Sequence, residues 1–191
     1  MLARSFRIFS LIALISGMSA IAHGQDENQV NFDVENPEEV LAIKWEDLMS
    51  EADMQAILDA PPVYHDGFGW DDKLINDPKQ EAYMQALQSF DVNPELLDKR
   101  ILIPGFIVPT AYNDDREVTE FFLVPFFGAC IHVPPPPPNQ IIHVKFEEGL
   151  QLDNYYDAYY VLGKLSSEVV KNDLASSAYS LSAEVVEIYD Y

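Results

Sequence analysis

The sequence predicts a mainly β protein with N-terminal helices, built on a small OB-like five-stranded barrel. Three observations carry this. Five runs rich in β-branched and aromatic residues follow residue 99, polar or Pro-rich turns separate them, and Gly interrupts two of them. The runs are 100–109, 118–126, 140–146, 159–165 and 178–188. In the last, Tyr179, Leu181, Ala183 and Val185 alternate with Ser180, Ser182 and Glu184, the period of a half-buried strand. Gly105 and Gly163 fall where a closed sheet turns its corners, because Gly within a strand often marks a sharp bend. Five strands make a poor pair of sheets, so the barrel is preferred and a short β-sandwich is the alternative.

The residues before the barrel divide into three. Arg4 and Arg7, the apolar run 8–15 and the small residues ending in Ala20-x-Ala22 read as a secretory signal peptide over residues 1–22. Eight apolar residues are too few to span a bilayer, which takes about 20, so cleavage rather than anchoring is expected. No Cys follows the run, which excludes lipid attachment there. Residues 23–40 are polar, acidic and without period, a flexible leader. Residues 41–98 form a helical segment. Trp45, Leu48 and Met49 share one helical face, Ser50 opens a helix that Pro61 and Pro62 stop, and a second helix is expected over 79–89. Residues 99–191 are the barrel.

Charge narrows the partners. With 32 acidic against 11 basic residues the chain carries −21, yet it is 48% apolar with ten Tyr and eleven Phe, which is a folded composition. Such a surface repels phosphate backbones and anionic headgroups, so nucleic acid is excluded as a partner and so is membrane insertion after signal cleavage. A metal cation or a basic protein surface is what it attracts. The expected location is the periplasm.

The chemistry-bearing segment runs from Phe126 to Gln140. Pro134, Pro135, Pro136, Pro137 and Pro138 fix φ five times and remove five donors, which imposes polyproline II. That stretch reads as a rigid crossing between two strands, or as a docking rail for an aromatic groove. Just before it stand Cys130, the one cysteine of the chain, and His132. A lone Cys forbids an internal disulfide. At i and i+2 of an extended segment both side chains leave one face, and a thiolate with an imidazole suits zinc or copper(I). A structural zinc takes four ligands, and His143, His65, His23 and the acids Asp66, Asp71 and Asp72 are further candidates. Beside Ile142 and Val144, His143 is expected to point outward with Lys145. The plainer alternative keeps Cys130 as a small core residue and His132 as a hydrogen-bonded edge residue. A reactive thiol is a third reading. The chain lacks C-x-x-C, G-x-S-x-G, H-E-x-x-H and a P-loop, and neighbouring i, i+2 side chains run parallel rather than towards each other, so no enzyme is expected.

Several blocks together resemble a known family. They are Trp45-x-x-Leu48, Ile103-Pro104-Gly105-Phe106-x-x-Pro109, Phe121-x-Leu123-Val124-Pro125, and Gly128-Ala129-Cys130-Ile131-His132-Val133 followed by the five prolines and Asn139-Gln140, with Val161-x-Gly163-x-Leu165 later. Over residues 40–190 the chain is similar to a bacterial exported family, domain of unknown function 3299. The resemblance implies a periplasmic protein associated with ABC-transporter parts and, in some bacteria, with zinc uptake. It points to Cys130, His132, Asn139 and Gln140 as the positions to examine, and it implies no activity. The expectation is a non-enzymatic accessory protein that binds a transition metal, probable cofactor zinc, beside a membrane-bound transporter component. The alternative is a metal-free interaction module docking through its Pro-rich segment.

Overall fold

Five long strands close on themselves. The computed structural model describes residues 40–61, 77–129 and 136–189, all within the compact unit Asn36–Tyr191. The strands are β2 (Arg100–Tyr112), β3 (Val118–Val124), β4 (Ile142–Leu150), β5 (Ala158–Ser166) and β8 (Tyr179–Ile188). β1 (Val40–Ala42) adds a short parallel strand to β2, and β6 (Val170–Lys171) with β7 (Ser176–Ser177) forms a small separate ribbon. The order β2-β3-β4-β8-β5 returns to β2 through the β2–β5 pairing, with β4 and β8 parallel and the other pairs antiparallel. Counting the five long strands one to five, that is 1-2-3-5-4-1, a closed OB-like barrel rather than a sandwich.

Alternation decides what the barrel encloses. Ile101, Ile103 and Ile107 of β2, Phe121 and Leu123 of β3, Ile142, Val144 and Phe146 of β4, Val161 and Leu165 of β5, and Tyr179 and Leu181 of β8 form one buried core. At one corner the backbones come so close that only Gly fits. A Cβ at Gly163 would run into the carbonyl oxygen of Ser182 and lie 2.6 Å from Leu181 Cδ2. The register slips between Leu162 and Gly163 at that point, so this Gly is the bent corner that its place within a strand foretells. At Gly105 side chains approach as well as backbone: a Cβ would stand 2.8 Å from Leu123 Cγ and 2.9 Å from both the Trp45 ring and the Val124 carbonyl oxygen.

The helical segment is fastened to the barrel by polar contacts. A 3-10 turn, Trp45–Leu48, precedes α1 (Glu51–Leu58), whose N-cap Ser50 accepts from the Asp53 N–H. α2 (Pro78–Ala86) starts at the Asp77 cap with Pro in its first turn. The Trp45 indole donates to the Pro104 carbonyl at 2.7 Å. Tyr179, wholly buried on β8, donates its hydroxyl to the Leu48 carbonyl at 2.7 Å and accepts from the Asn93 N–H at 2.6 Å. One phenol therefore holds two separate stretches of the helical segment against the last strand.

Two outcomes test this construction. Gly163→Ala should cost about 2–3 kcal/mol or abolish folding, because the clash is with backbone that cannot step aside; urea midpoints read it. Burial pushes the Tyr179 hydroxyl up to about 12, against the Asn93 N–H, which pulls it down. A raised folded pKa means stability fully present below the unfolded value near 10 and lost as pH climbs from there towards 12. Tyr179→Phe should lower stability at neutral pH by about 2 kcal/mol, since it orphans one donor and one acceptor, and should flatten the alkaline limb of a stability–pH curve.

Candidate functional site

The outer face of β3 and β4 is not open to water. Phe122 and Val124 point away from the barrel core, yet both are fully buried beneath Ala129 and Ile141, with Phe106, Val108, Val170 and Ala175 around them. This second apolar layer is built from the two flanks of the long β3–β4 connection and from the β6–β7 ribbon. It explains where His143 sits. The ring leaves the same face as Lys145, as alternation predicts, but Lys145 is exposed while His143 is only 4% exposed. The expectation of a solvent-facing His143 is corrected by this cover.

The surroundings of that imidazole are specific. The Phe122 ring, its direct cross-strand neighbour, meets it edge-on with centroids 5.7 Å apart. Nε2 lies 3.3 Å from Glu120 Oε2. Nδ1 is buried and has no hydrogen-bond partner among the described residues. With the ring proton on Nε2, facing the carboxylate, Nδ1 keeps a bare lone pair. A carboxylate behind one nitrogen and a free lone pair on the other is the arrangement that prepares a histidine to ligate a metal. Glu120 escaped the sequence reading. It stands diagonal to His143 through the regular pairings Glu120–Lys145 and Phe122–His143, and residue order alone does not reveal how β3 pairs with β4.

Of the other candidates, Cys130, His132, Pro134 and Pro135 lie outside the described residues, as do His23, His65, Asp66, Asp71 and Asp72. Ala129, the residue before Cys130, is wholly buried in the outer layer with Phe122. At the far end of the proline run Pro136 is buried, Pro137 and Pro138 are half-buried, and Pro138–Gln140 forms a 3-10 turn. Asn139 is wholly buried. Its side-chain amide donates to Asp53 Oδ2 at 2.9 Å and to the Asp91 carbonyl at 3.1 Å. The Gln140 amide donates to the Trp45 carbonyl at 2.8 Å, and the Pro138 carbonyl accepts from the Ala178 N–H at 2.8 Å. Asn139 and Gln140 thus tie the end of the proline run to the helical segment and to the start of β8. Among the described residues no three His, Cys, Asp or Glu side chains converge as a metal cluster. No described helix is long and apolar enough to cross a membrane.

The family described as Protein of unknown function (DUF3299) matches residues 45–188, from the first 3-10 turn to the end of β8. The chain belongs to this family. Among solved structures, a DUF3299 family protein from Pseudomonas aeruginosa PAO1 is 34% identical, with a TM-score of 0.57 over 78% of this chain and 96% of that one. A putative aspartyl-tRNA synthetase from Leishmania major Friedlin is 15% identical with a TM-score of 0.31, covers 50% of this chain and 18% of that one, and carries no argument. No curated protein matches.

Asn139 should behave as a positioning residue. Asn139→Ala leaves the Asp53 carboxylate, itself buried, without its amide donor, and should lower stability by about 2 kcal/mol. A shift of the urea midpoint with an unchanged slope is the expected reading.

Proposed function

We propose that this DUF3299 protein is a non-enzymatic periplasmic accessory of an ABC-type envelope transport system, binding a transition metal, zinc above all, through Cys130 and His132 with His143 as a further ligand. The observation that carries the reading is the imidazole of His143: buried, backed by Glu120, and presenting an unpartnered Nδ1. Ala129, next to Cys130 in sequence, packs in the layer that touches His143 through Phe122, which keeps the start of the Cys130 segment near that layer. A thiolate with two imidazoles is a borderline-soft donor set that favours zinc or copper(I) over magnesium or calcium. The net charge of −21 raises the local cation concentration. The location and the link to a transporter rest on the signal-like residues 1–22 and on the family resemblance.

Docking through the proline run is the competing reading, and it has less support. Pro136 is buried and Asn139 and Gln140 hold the end of the run into the fold, which leaves a partner little of that end to grip.

Metal content decides between them. Residues 25–191, purified untagged and reduced, should carry or take up about one zinc per chain, and Cys130→Ser and His132→Ala should each abolish it. His143→Asn should weaken binding about tenfold or more while the fold is retained. Affinity should fall on acidification, because thiolate and imidazole must shed protons to bind. A parent that takes up no zinc from a micromolar solution overturns the reading.

A further inference from the structure

A second surface stands apart from the His143 site. Phe127, 44% exposed at the start of the β3–β4 connection, meets Phe106 edge-on with centroids 6.2 Å apart and stacks against Tyr156 at 4.6 Å. Tyr156 is 70% exposed, and its neighbour Tyr155 is hydrogen-bonded to Tyr112 at the end of β2. Phe126 and Tyr112 are exposed as well. Rings from three stretches of chain therefore gather in a strip of two groups, Phe106–Phe127–Tyr156 and Tyr155–Tyr112, joined where Tyr155 and Tyr156 are adjacent in the chain. All but the half-buried Phe106 are exposed, which is unusual for large apolar side chains unless something else covers them.

The charges around the strip are mostly acidic, Arg116 being the exception. Asp153 and Asp157 bracket the two adjacent tyrosines, and Asp114 and Asp115 follow Tyr112 by two and three residues. Between Arg100 and Lys164 the chain offers only Arg116 and Lys145 as cations. The field is felt at the barrel wall: after burial, the charges of Asp157 and Asp153 are what hold the Tyr159 hydroxyl above its ordinary range. Exposed π faces rimmed by carboxylates attract planar cations, since guanidinium stacks on aromatic rings and pairs bidentately with carboxylates. The side-chain amide of Asn154 is already spent on Asp157, which leaves rings and carboxylates as the groups the strip offers.

We propose that the strip formed by Phe106, Phe127, Tyr156, Tyr155 and Tyr112 is a docking surface for an arginine-bearing segment of a partner protein. It needs no metal, and it would stand if the metal reading fell.

An alternating Arg-Gly peptide is the probe, titrated calorimetrically at about 0.15 M salt, where fields of exposed charges decay over about 8 Å. The same peptide with citrulline in place of arginine keeps the planar group and removes the charge. Binding of the arginine peptide is expected, with at least tenfold weaker binding of the citrulline peptide. Tyr155→Ser with Tyr156→Ser should weaken the arginine peptide about tenfold at unchanged net charge, and Phe127→Ser, tested separately with melting as a check on folding, should act in the same direction. Glu51→Gln with Glu95→Gln, which neutralises two exposed carboxylates on the helical segment, should change affinity less than twofold. Three results would each overturn the proposal: no binding by the parent chain, equal binding of the citrulline peptide, or aromatic variants that bind as the parent does while affinity follows net charge alone.

Discussion

The structure depends on closure of the barrel at β5. That strand pairs with β2 on one side and β8 on the other, so the first long strand and the last are joined through it. Closure requires the sheet to bend sharply where β5 meets β8, and the bend is possible because residue 163 has no side chain to oppose the Ser182 carbonyl. Once the barrel is shut its interior has room for one core and its outer wall has two fates. The helical segment adds Leu48 and Leu96 to that interior core, while part of the outer wall is bare and part is sealed by the apolar layer over Phe122 and Val124.

The outer layer turns an ordinary strand position into a chemical one. On an uncovered β4, His143 would be a wet surface residue beside Lys145. Against the Phe122 ring it is a buried imidazole whose two nitrogens have different surroundings, one facing a carboxylate and one facing nothing polar among the described residues. Burial of a polar group without a partner costs free energy, so the fold tolerates at this place a deficit that a ligand would remove. The aromatic strip around Phe127 and Tyr156 is the opposite case, apolar surface left in water beside carboxylates. The chain has thus placed a polar group in an apolar layer and an apolar group in a charged one.

Much of the barrel was legible in the residue order because strand alternation and turn composition are local. The pattern Tyr179, Leu181, Ala183 names the inward face of β8 correctly at Tyr179 and Leu181, and the two strand glycines do sit at close approaches. The second helix, expected over 79–89, is shorter, since the chain leaves the helix after Ala86. What local pattern cannot supply is the layer that settles on the outside of a strand. The layer that buries Phe122, the cross-strand neighbour of His143, draws on Ala129 and Ile141 from the connection and on Val170 and Ala175 some thirty residues later in the chain. Asn139 and Gln140 stood out as part of a family block, but their partners Asp53 and Trp45 lie 86 and 95 residues away, so the contacts they make could not be foreseen from the block. The pairing of β3 with β4 that sets Glu120 diagonal to His143 is likewise not written in either strand alone.

The phenol of Tyr179 also imposes an order of events on the chain. It belongs to the last strand, yet its two hydrogen bonds go to Leu48 and Asn93, in the first part of the described fold. β8 also supplies the parallel neighbour of β4 and the antiparallel neighbour of β5. Contacts so distant in sequence form late, after the entropy of closing a long loop has been met. The stretches at Leu48 and Asn93 therefore gain this anchor only once β8 is in place, so the earliest and the latest parts of the described fold are secured by one and the same side chain.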